Sequence, residues 1–376
     1  MGRRFYDKNM HGTDWKMYCD AYRKFLPHIN NNYDFSELGG ELLGELNVSH
    51  TGLRYDRPVL KSHDATGELG LYIDYNYTGA GLKVEEILSG GPFDRTQSQL
   101  ERGDIIISIS GIELTEGMDY FPLLNHKAGE VINVGILKPS GQIVLENIIP
   151  VTREKYNNLI YQRWMARCAA DVERLSGGRI GYVHLDLMNK PAYHHLYLTS
   201  LGRYYNCDAL IIDVRDNGGG SLHPRVEEFF SGQQYLTGEV RGMFTKPMPR
   251  RRWIYPSAML INQGCYSDGH GTPWVYDHLD LGPTVGMPIP GTMTTCNREK
   301  QRDNTLVLGV PIVGFYTEQG NSLENTQQEP DVMVENTKES IAAGEDLQLQ
   351  EAVKILMQQI DTHPKRPWER NKRLMR

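Results

Sequence analysis

The stretch Ala258-Met259-Leu260-Ile261-Asn262-Gln263-Gly264-Cys265-Tyr266-Ser267-Asp268-Gly269-His270 decides how this chain is read, because an apolar run delivers a serine onto a turn flanked by glycine. A short continuous apolar run bounded by turn residues reads as a buried strand, and a hydroxyl at its mouth is held by a rigid scaffold yet open to a ligand. The segment Ala209-Leu210-Ile211-Ile212-Asp213-Val214-Arg215-Asp216-Asn217-Gly218-Gly219-Gly220 repeats the design. Here a buried strand opens into three glycines whose backbone N–H groups no side chain screens, a turn able to donate to an oxyanion. A serine nucleophile also needs a base. Ser49-His50, following Glu41-Leu42-Leu43-Gly44-Glu45-Leu46-Asn47-Val48, supplies the best-placed histidine. Together these segments read as a serine hydrolase assembled from distant parts of the chain.

Acyl transfer by serine requires proton removal, donors for the oxyanion and a group that orients the base. Ser267, His50 and the N–H groups of Gly218 or Gly219 and of Asp268 fill the first roles. Glu324, in Leu323-Glu324-Asn325 ahead of Pro330-Asp331, offers a carboxylate in a loop, although spacing alone does not bring it to His50. His184, His194, His195, His223 and His270 are other possible bases. Cys265 reads as a small buried turn residue rather than the nucleophile. A phosphate-binding reading of Asp216-Asn217-Gly218-Gly219-Gly220 fails, since the segment lacks the spacing and lysine of a P-loop and does not match G-x-G-x-x-G.

Composition bounds the rest. The 376 residues suffice for two or three domains, and 39% hydrophobic with 23% charged residues is the balance of a soluble globular protein. A net charge of −7, with basic runs only at Arg250-Arg251-Arg252 and from Lys365 to Arg376, argues against a nucleic-acid partner. No apolar stretch is long enough to span a membrane, and the opening residues have no signal-peptide core. The five cysteines are scattered without C-x-x-C or zinc spacing, so neither a disulfide framework nor a metal site is expected, and no organic cofactor is called for.

Periodicity divides the chain into a helical domain over 1–65 that carries His50, a strand-rich domain over 66–152, an α/β domain over 153–362 with Ser267, and a basic tail over 363–376. In the helical part, Asp14 and Asp34 read as helix caps, and Thr51 to Thr66 as a charged connector. The run Leu100-Glu101-Arg102-Gly103-Asp104-Ile105-Ile106-Ile107-Ser108-Ile109-Ser110-Gly111, preceded by Gly91-Pro92-Phe93, resembles the PDZ signature. Such modules bind extended chain ends by adding a strand to a sheet edge, and Gly70-Leu71-Tyr72-Ile73 stands where their carboxylate-binding loop forms.

Taken in order, the segment ending in Ser49-His50, the PDZ-like domain, Asp213 to Gly220, Gly264 to Gly269, and Leu323-Glu324-Asn325 before Glu329-Pro330-Asp331 resemble the catalytic half of the tricorn protease family. The α/β part is also similar to the tail-specific C-terminal processing peptidases, which use a serine–lysine pair instead. The resemblance implies a multidomain α/β protein: a small helical domain, a PDZ-like β domain and an α/β crotonase-like serine peptidase domain. It implies a tetrad of Ser267 as nucleophile, His50 as base, and Ser49 and Glu324 as supports, with donors at Gly218, Gly219 and Asp268. Peptide substrates, a cytoplasmic location and a homo-oligomer, a hexamer in that family, are further implications. Two departures stand out: the family carries two β-propellers ahead of this region and no blade repeat occurs here, and Thr326-Gln327-Gln328 replaces its usual Gly-Val step. The competing reading is a catalytically silent PDZ-containing peptide-binding or assembly module.

Overall fold

The structure, a computed structural model, describes residues 1–57, 64–241, 243–245 and 247–362; the basic tail expected at 363–376 lies outside the described residues. The chain forms two compact units, Met1–Pro58 with Cys168–Arg376, and Val59–Arg167. The N-terminal helices, expected as a domain of their own, therefore share a unit with most of the α/β part. They are too few to enclose a core alone: Phe5, Leu43 and Leu46 bury themselves with the help of Leu53 and Leu308.

Helix α1 (Trp15–Arg23) is capped by Asp14, whose side chain accepts the Met17 N–H. Helix α2 (Asn32–Gly44) starts earlier than expected, because Asn31 is its cap and accepts the Asp34 N–H, leaving Asp34 inside the first turn. Strand β1 (Gly52–Tyr55) lies in what read as a charged connector.

The Val59–Arg167 unit is built on β2 (Leu71–Ile73), β3 (Leu82–Ile87), β4 (Ile105–Ile109), β5 (Ile112–Glu113), β6 (Ile132–Leu137) and β7 (Ile143–Ile148). The antiparallel order is β2-β3-β4-β6-β7, with β5 paired to β4. Leu71, Val84, Phe93, Ile106, Val134 and Ile148 are among its buried core residues.

Helix α3 (Arg153–Ser176) precedes β8 (Ile180–His184), α4 (Lys190–Leu198), β9 (Ala209–Asp213), α5 (His223–Phe230), β10 (Glu239–Val240), β11 (Met243–Phe244), β12 (Ser257–Ile261), α6 (Asp268–His278), β13 (Thr284–Gly286), β14 (Thr294–Lys300), β15 (Leu306–Gly314), β16 (Val332–Met333), α7 (Lys338–Ala342) and α8 (Leu347–Thr362). A parallel sheet runs β16-β13-β12-β9-β8, and an antiparallel one β1-β15-β14. All five positions of β8, β9 and β12 are buried, as a parallel sheet covered on both faces requires. The fold is mixed α/β.

This topology brings the two decisive motifs together. Strands β9 and β12 are neighbours, so the triple-glycine loop and the Ser267 turn leave the sheet side by side at its carboxyl edge. The end of β9 is riveted from below. The fully buried Asp213 receives Arg215 Nε at 2.9 and 3.1 Å and the Tyr182 hydroxyl at 2.7 Å, and Arg215 reaches on to Asp346 at 2.9 Å. Burial pushes the Asp213 carboxyl up, and the Arg215 guanidinium more than offsets it, holding the group ionised below its ordinary range.

Candidate active site

Ser267 occupies the turn between β12 and α6 with φ 59° and ψ −122°, a left-handed backbone that costs a non-glycine residue about 1–3 kcal/mol. Its N–H donates to Thr292 Oγ1 at 3.0 Å, fixing the turn without using the side-chain hydroxyl. Gly219 packs directly on it: a Cβ there would lie 2.5 Å from Ser267 Cβ and 3.1 Å from its Oγ, and Gly219 itself has φ +92°. Only glycine fits that approach. Cys265 is buried, its Sγ 3.0 Å from the Val214 carbonyl, and burial pushes its thiol up to about 12; it is no thiolate nucleophile.

Ser49, His50 and Glu324 meet. Ser49 Oγ donates to Glu324 Oε2 at 2.9 Å and stands 2.8 Å from His50 Nδ1, while the Ser49 N–H donates to Glu324 Oε1 at 2.5 Å. Glu324 thus acts on the imidazole through Ser49. With Ser49 donating to the carboxylate, His50 Nδ1 carries the proton and Nε2 keeps its lone pair, the tautomer a general base needs. Burial, joined by the Arg298 charge, lowers the pKa of His50. Glu324, 4% exposed, is pushed up by burial, and the Ser49 backbone and side-chain hydrogen bonds pull back against that. His50 also has a positive φ of 61°.

Three residues of this site escaped the sequence reading. Thr294 Oγ1 lies 2.9 Å from Ser49 Oγ and 3.1 Å from His50 Nδ1, a second hydroxyl on the same nitrogen. Thr292 holds the Ser267 amide, as above. Tyr266 joins the halves: its hydroxyl accepts the His50 N–H at 2.7 Å, its ring lies 4.7 Å from the imidazole, and Ser267 follows it in the chain. The alternation Thr292-Met293-Thr294 was the available signal, since a period of two puts both hydroxyls on one side. Among the described residues no hydrogen bond joins Ser267 Oγ to His50.

The glycine loop differs from expectation. The Gly218 N–H donates to the Asp186 carbonyl at 3.0 Å and the Gly219 N–H to Asn217 Oδ1 at 2.7 Å, so both expected oxyanion donors are committed in this conformation. An asparagine side chain satisfying the backbone two residues on is ordinary turn chemistry. The N–H groups of Asp268 and Gly220 have no acceptor among the described residues. Of the other histidines, His270 is buried with its pKa lowered to about 4 by desolvation, and His184 is buried with Nε2 3.1 Å from the Arg215 carbonyl. His223 pairs with Asp268 at 2.6 Å. No cluster of three or more His, Cys, Asp or Glu side chains able to hold a metal ion occurs among the described residues, nor any helix long and apolar enough to cross a membrane.

Residues 179–334 match the model of peptidase family S41, and residues 1–44 that of the tricorn protease C1 domain. Tricorn protease homolog 1 of Streptomyces coelicolor is 27% identical over 374 residues, covering 97% of this chain and 35% of that protein. Tricorn protease of Thermoplasma volcanium is 24% identical over 372 residues, covering 96% of this chain and 35% of that protein. The chain thus spans about a third of the length of these relatives. In fold it matches the crystal structure of the tricorn protease with a TM-score of 0.83 and 21% identity over 96% of this chain and 35% of that one.

Proposed function

We propose, from the match of residues 179–334 to peptidase family S41 and of residues 1–44 to the tricorn protease C1 domain, that this chain hydrolyses peptide bonds in peptides or unfolded segments through Ser267, His50, Ser49 and Glu324. The observation that carries the reading is the hydrogen-bonded chain from Glu324 through Ser49 to His50, at 2.9 and 2.8 Å, tied by Tyr266 to the turn that presents Ser267. His50 Nε2 takes the Ser267 proton as Oγ bonds to the scissile carbonyl carbon. The resulting imidazolium is stabilised by Ser49 and, through it, by Glu324, then gives its proton to the departing amine as the C–N bond breaks. Water repeats the sequence on the acyl-enzyme. Of the three expected oxyanion donors, Asp268 N–H is the one this conformation leaves available, and its place right after the nucleophile suits that role. Neither Gly218 nor Gly219 donates unless its present acceptor is displaced.

The strand-rich unit reads as PDZ-like, and the α/β part as crotonase-like. Support for the first is a cavity of about 130 Å³ beside edge strand β2, lined by Gly70, Leu71, Ile73, Tyr120, Arg153 and Tyr156. The Tyr156 hydroxyl already donates to the Leu71 carbonyl at 3.3 Å, so an added peptide strand would have to displace it. Self-assembly belongs to the same reading and is tested by the mass of the protein in solution.

The test is hydrolysis of a fluorogenic peptide by the purified chain and by Ser267→Ala. Loss of turnover by several powers of ten with an unchanged fold is expected. Equal turnover by both would remove the assignment, and no turnover by either would favour the silent peptide-binding module.

A further inference from the structure

The buried Asp268 carboxylate, 3% exposed, does more than follow the nucleophile. Its Oδ1 lies 2.6 Å from His223 Nδ1, and its Oδ2 accepts the N–H of Leu222 and, at 3.2 Å, the N–H of His223. Leu222 and His223 come one residue after the glycine loop, Leu222 at the N-cap and His223 at the first position of α5, whereas Asp268 opens α6. One carboxylate therefore staples the helix that begins at the nucleophile to the end of the loop facing it. Both helix N-termini favour the negative charge placed between them.

We infer that His223 is a positioning residue: through Asp268 it fixes the spacing between the Asp268 N–H and the glycine loop, and so holds the oxyanion site in shape. The inference rests on the peptidase reading above. His223 touches no reacting atom in this account. Its imidazole fixes the carboxylate's orientation, which in turn sets the backbone amide of the same residue. The groups facing His223 are Asp268 on α6 and Glu227 along its own helix, and the hydrogen bond its imidazole donates to Asp268 raises its pKa above the ordinary histidine value, against the burial that opposes it. The imidazolium form of the staple is thus favoured over that of an ordinary histidine, and its charge is lost as pH rises through that raised value.

Three variants test this together. Ser267→Ala must be inactive, which checks the peptidase reading independently. His223→Leu removes the donor, and His223→Asn places an amide N–H close to the position of Nδ1 without a titratable charge. Loss of one oxyanion donor costs about 100- to 1,000-fold in kcat, so displacing one should cost roughly 10- to 100-fold. The expected result is that decrease in His223→Leu with KM within about twofold of wild type, a parallel loss of affinity for a peptide aldehyde that forms a tetrahedral adduct, and recovery of most of both in His223→Asn. Should His223→Leu fail to fold, His223→Asn alone decides, because the alkaline decline of kcat in the wild type should be absent from it. Wild-type kcat in His223→Leu, a loss confined to KM, a His223→Asn as slow as His223→Leu, or an unchanged alkaline decline in His223→Asn overturns the inference while leaving an inactive Ser267→Ala, and hence the peptidase reading, intact.

Discussion

Ser49→Ala isolates the link between the carboxylate and the base. The hydroxyl donates to Glu324 Oε2 at 2.9 Å and meets His50 Nδ1 at 2.8 Å, so its removal cuts the relay in the middle. The carboxylate is not orphaned, because the Ser49 backbone N–H still donates to it at 2.5 Å, and the imidazole keeps Thr294 Oγ1 at 3.1 Å. A hydrogen bond to a charged group contributes about 1.5–3 kcal/mol, and the bond to His50 gains that character only as the imidazolium forms. At about 1.4 kcal/mol per tenfold, turnover should fall roughly 10- to 150-fold, near the lower end because Thr294 compensates in part. The hydroxyl touches no substrate, so the loss belongs in kcat and KM should stay put. The acid limb of the pH profile should move to lower pH, since losing the relay to Glu324 disfavours the charged imidazole. Adding Thr294→Val should cost more than the two single changes together, as the second hydroxyl is then the only one left on Nδ1. Steady-state kinetics on a fluorogenic peptide from pH 4 to 9 reads all of this, and a Ser49→Ala variant with wild-type kcat and an unmoved acid limb refutes the relay.

Other outcomes follow from the same geometry. Activity should rise with pH through His50 with a midpoint below the unperturbed ~6.5, and Arg298→Gln, which removes a positive charge that disfavours the imidazolium, should move that midpoint upward; a midpoint that stays fixed in the pH–rate profile counts against the arrangement. Gly219→Ala puts a methyl group into Ser267 and strains a φ of +92°, so turnover should collapse and the melting temperature drop, and a fully active variant would show that the loop does not pack as described. Arg215→Met leaves the Asp213 carboxylate buried without its guanidinium and should cost about 3–5 kcal/mol in urea unfolding, whereas a change under about 1 kcal/mol would deny the pair its structural weight.

Strands β9 and β12 were legible because parallel strands buried on both faces are unbroken apolar runs, and Ala209-Leu210-Ile211-Ile212 and Ala258-Met259-Leu260-Ile261 are such runs. The turns after them were legible from glycine. Strand β14 was not, since Arg298 and Lys300 lie exposed on it and leave no apolar alternation to see. Strand β1 hid in the same way among charged neighbours, and its pairing with β15 is a contact over some 250 residues of chain that no local pattern encodes. In the site, Ser267 and His50 could be named from their surroundings, and Ser49 only by family resemblance. Thr292, Thr294 and Tyr266 are defined by side chains from distant segments converging on one hydroxyl or ring, which becomes visible only in three dimensions. The acceptor of the Gly219 amide was not legible either, because Asn217, within the very motif that exposes the amides, folds back to take that N–H.

The central claim, that Ser267 is an activated nucleophile served by His50, is tested most directly by reaction with a fluorophosphonate followed by peptide mapping in a mass spectrometer. The account predicts a single adduct on Ser267 in the wild type, formed far more slowly in His50→Ala and absent in Ser267→Ala. An unlabelled wild type, or an adduct at Ser267 that forms equally fast without His50, would contradict it.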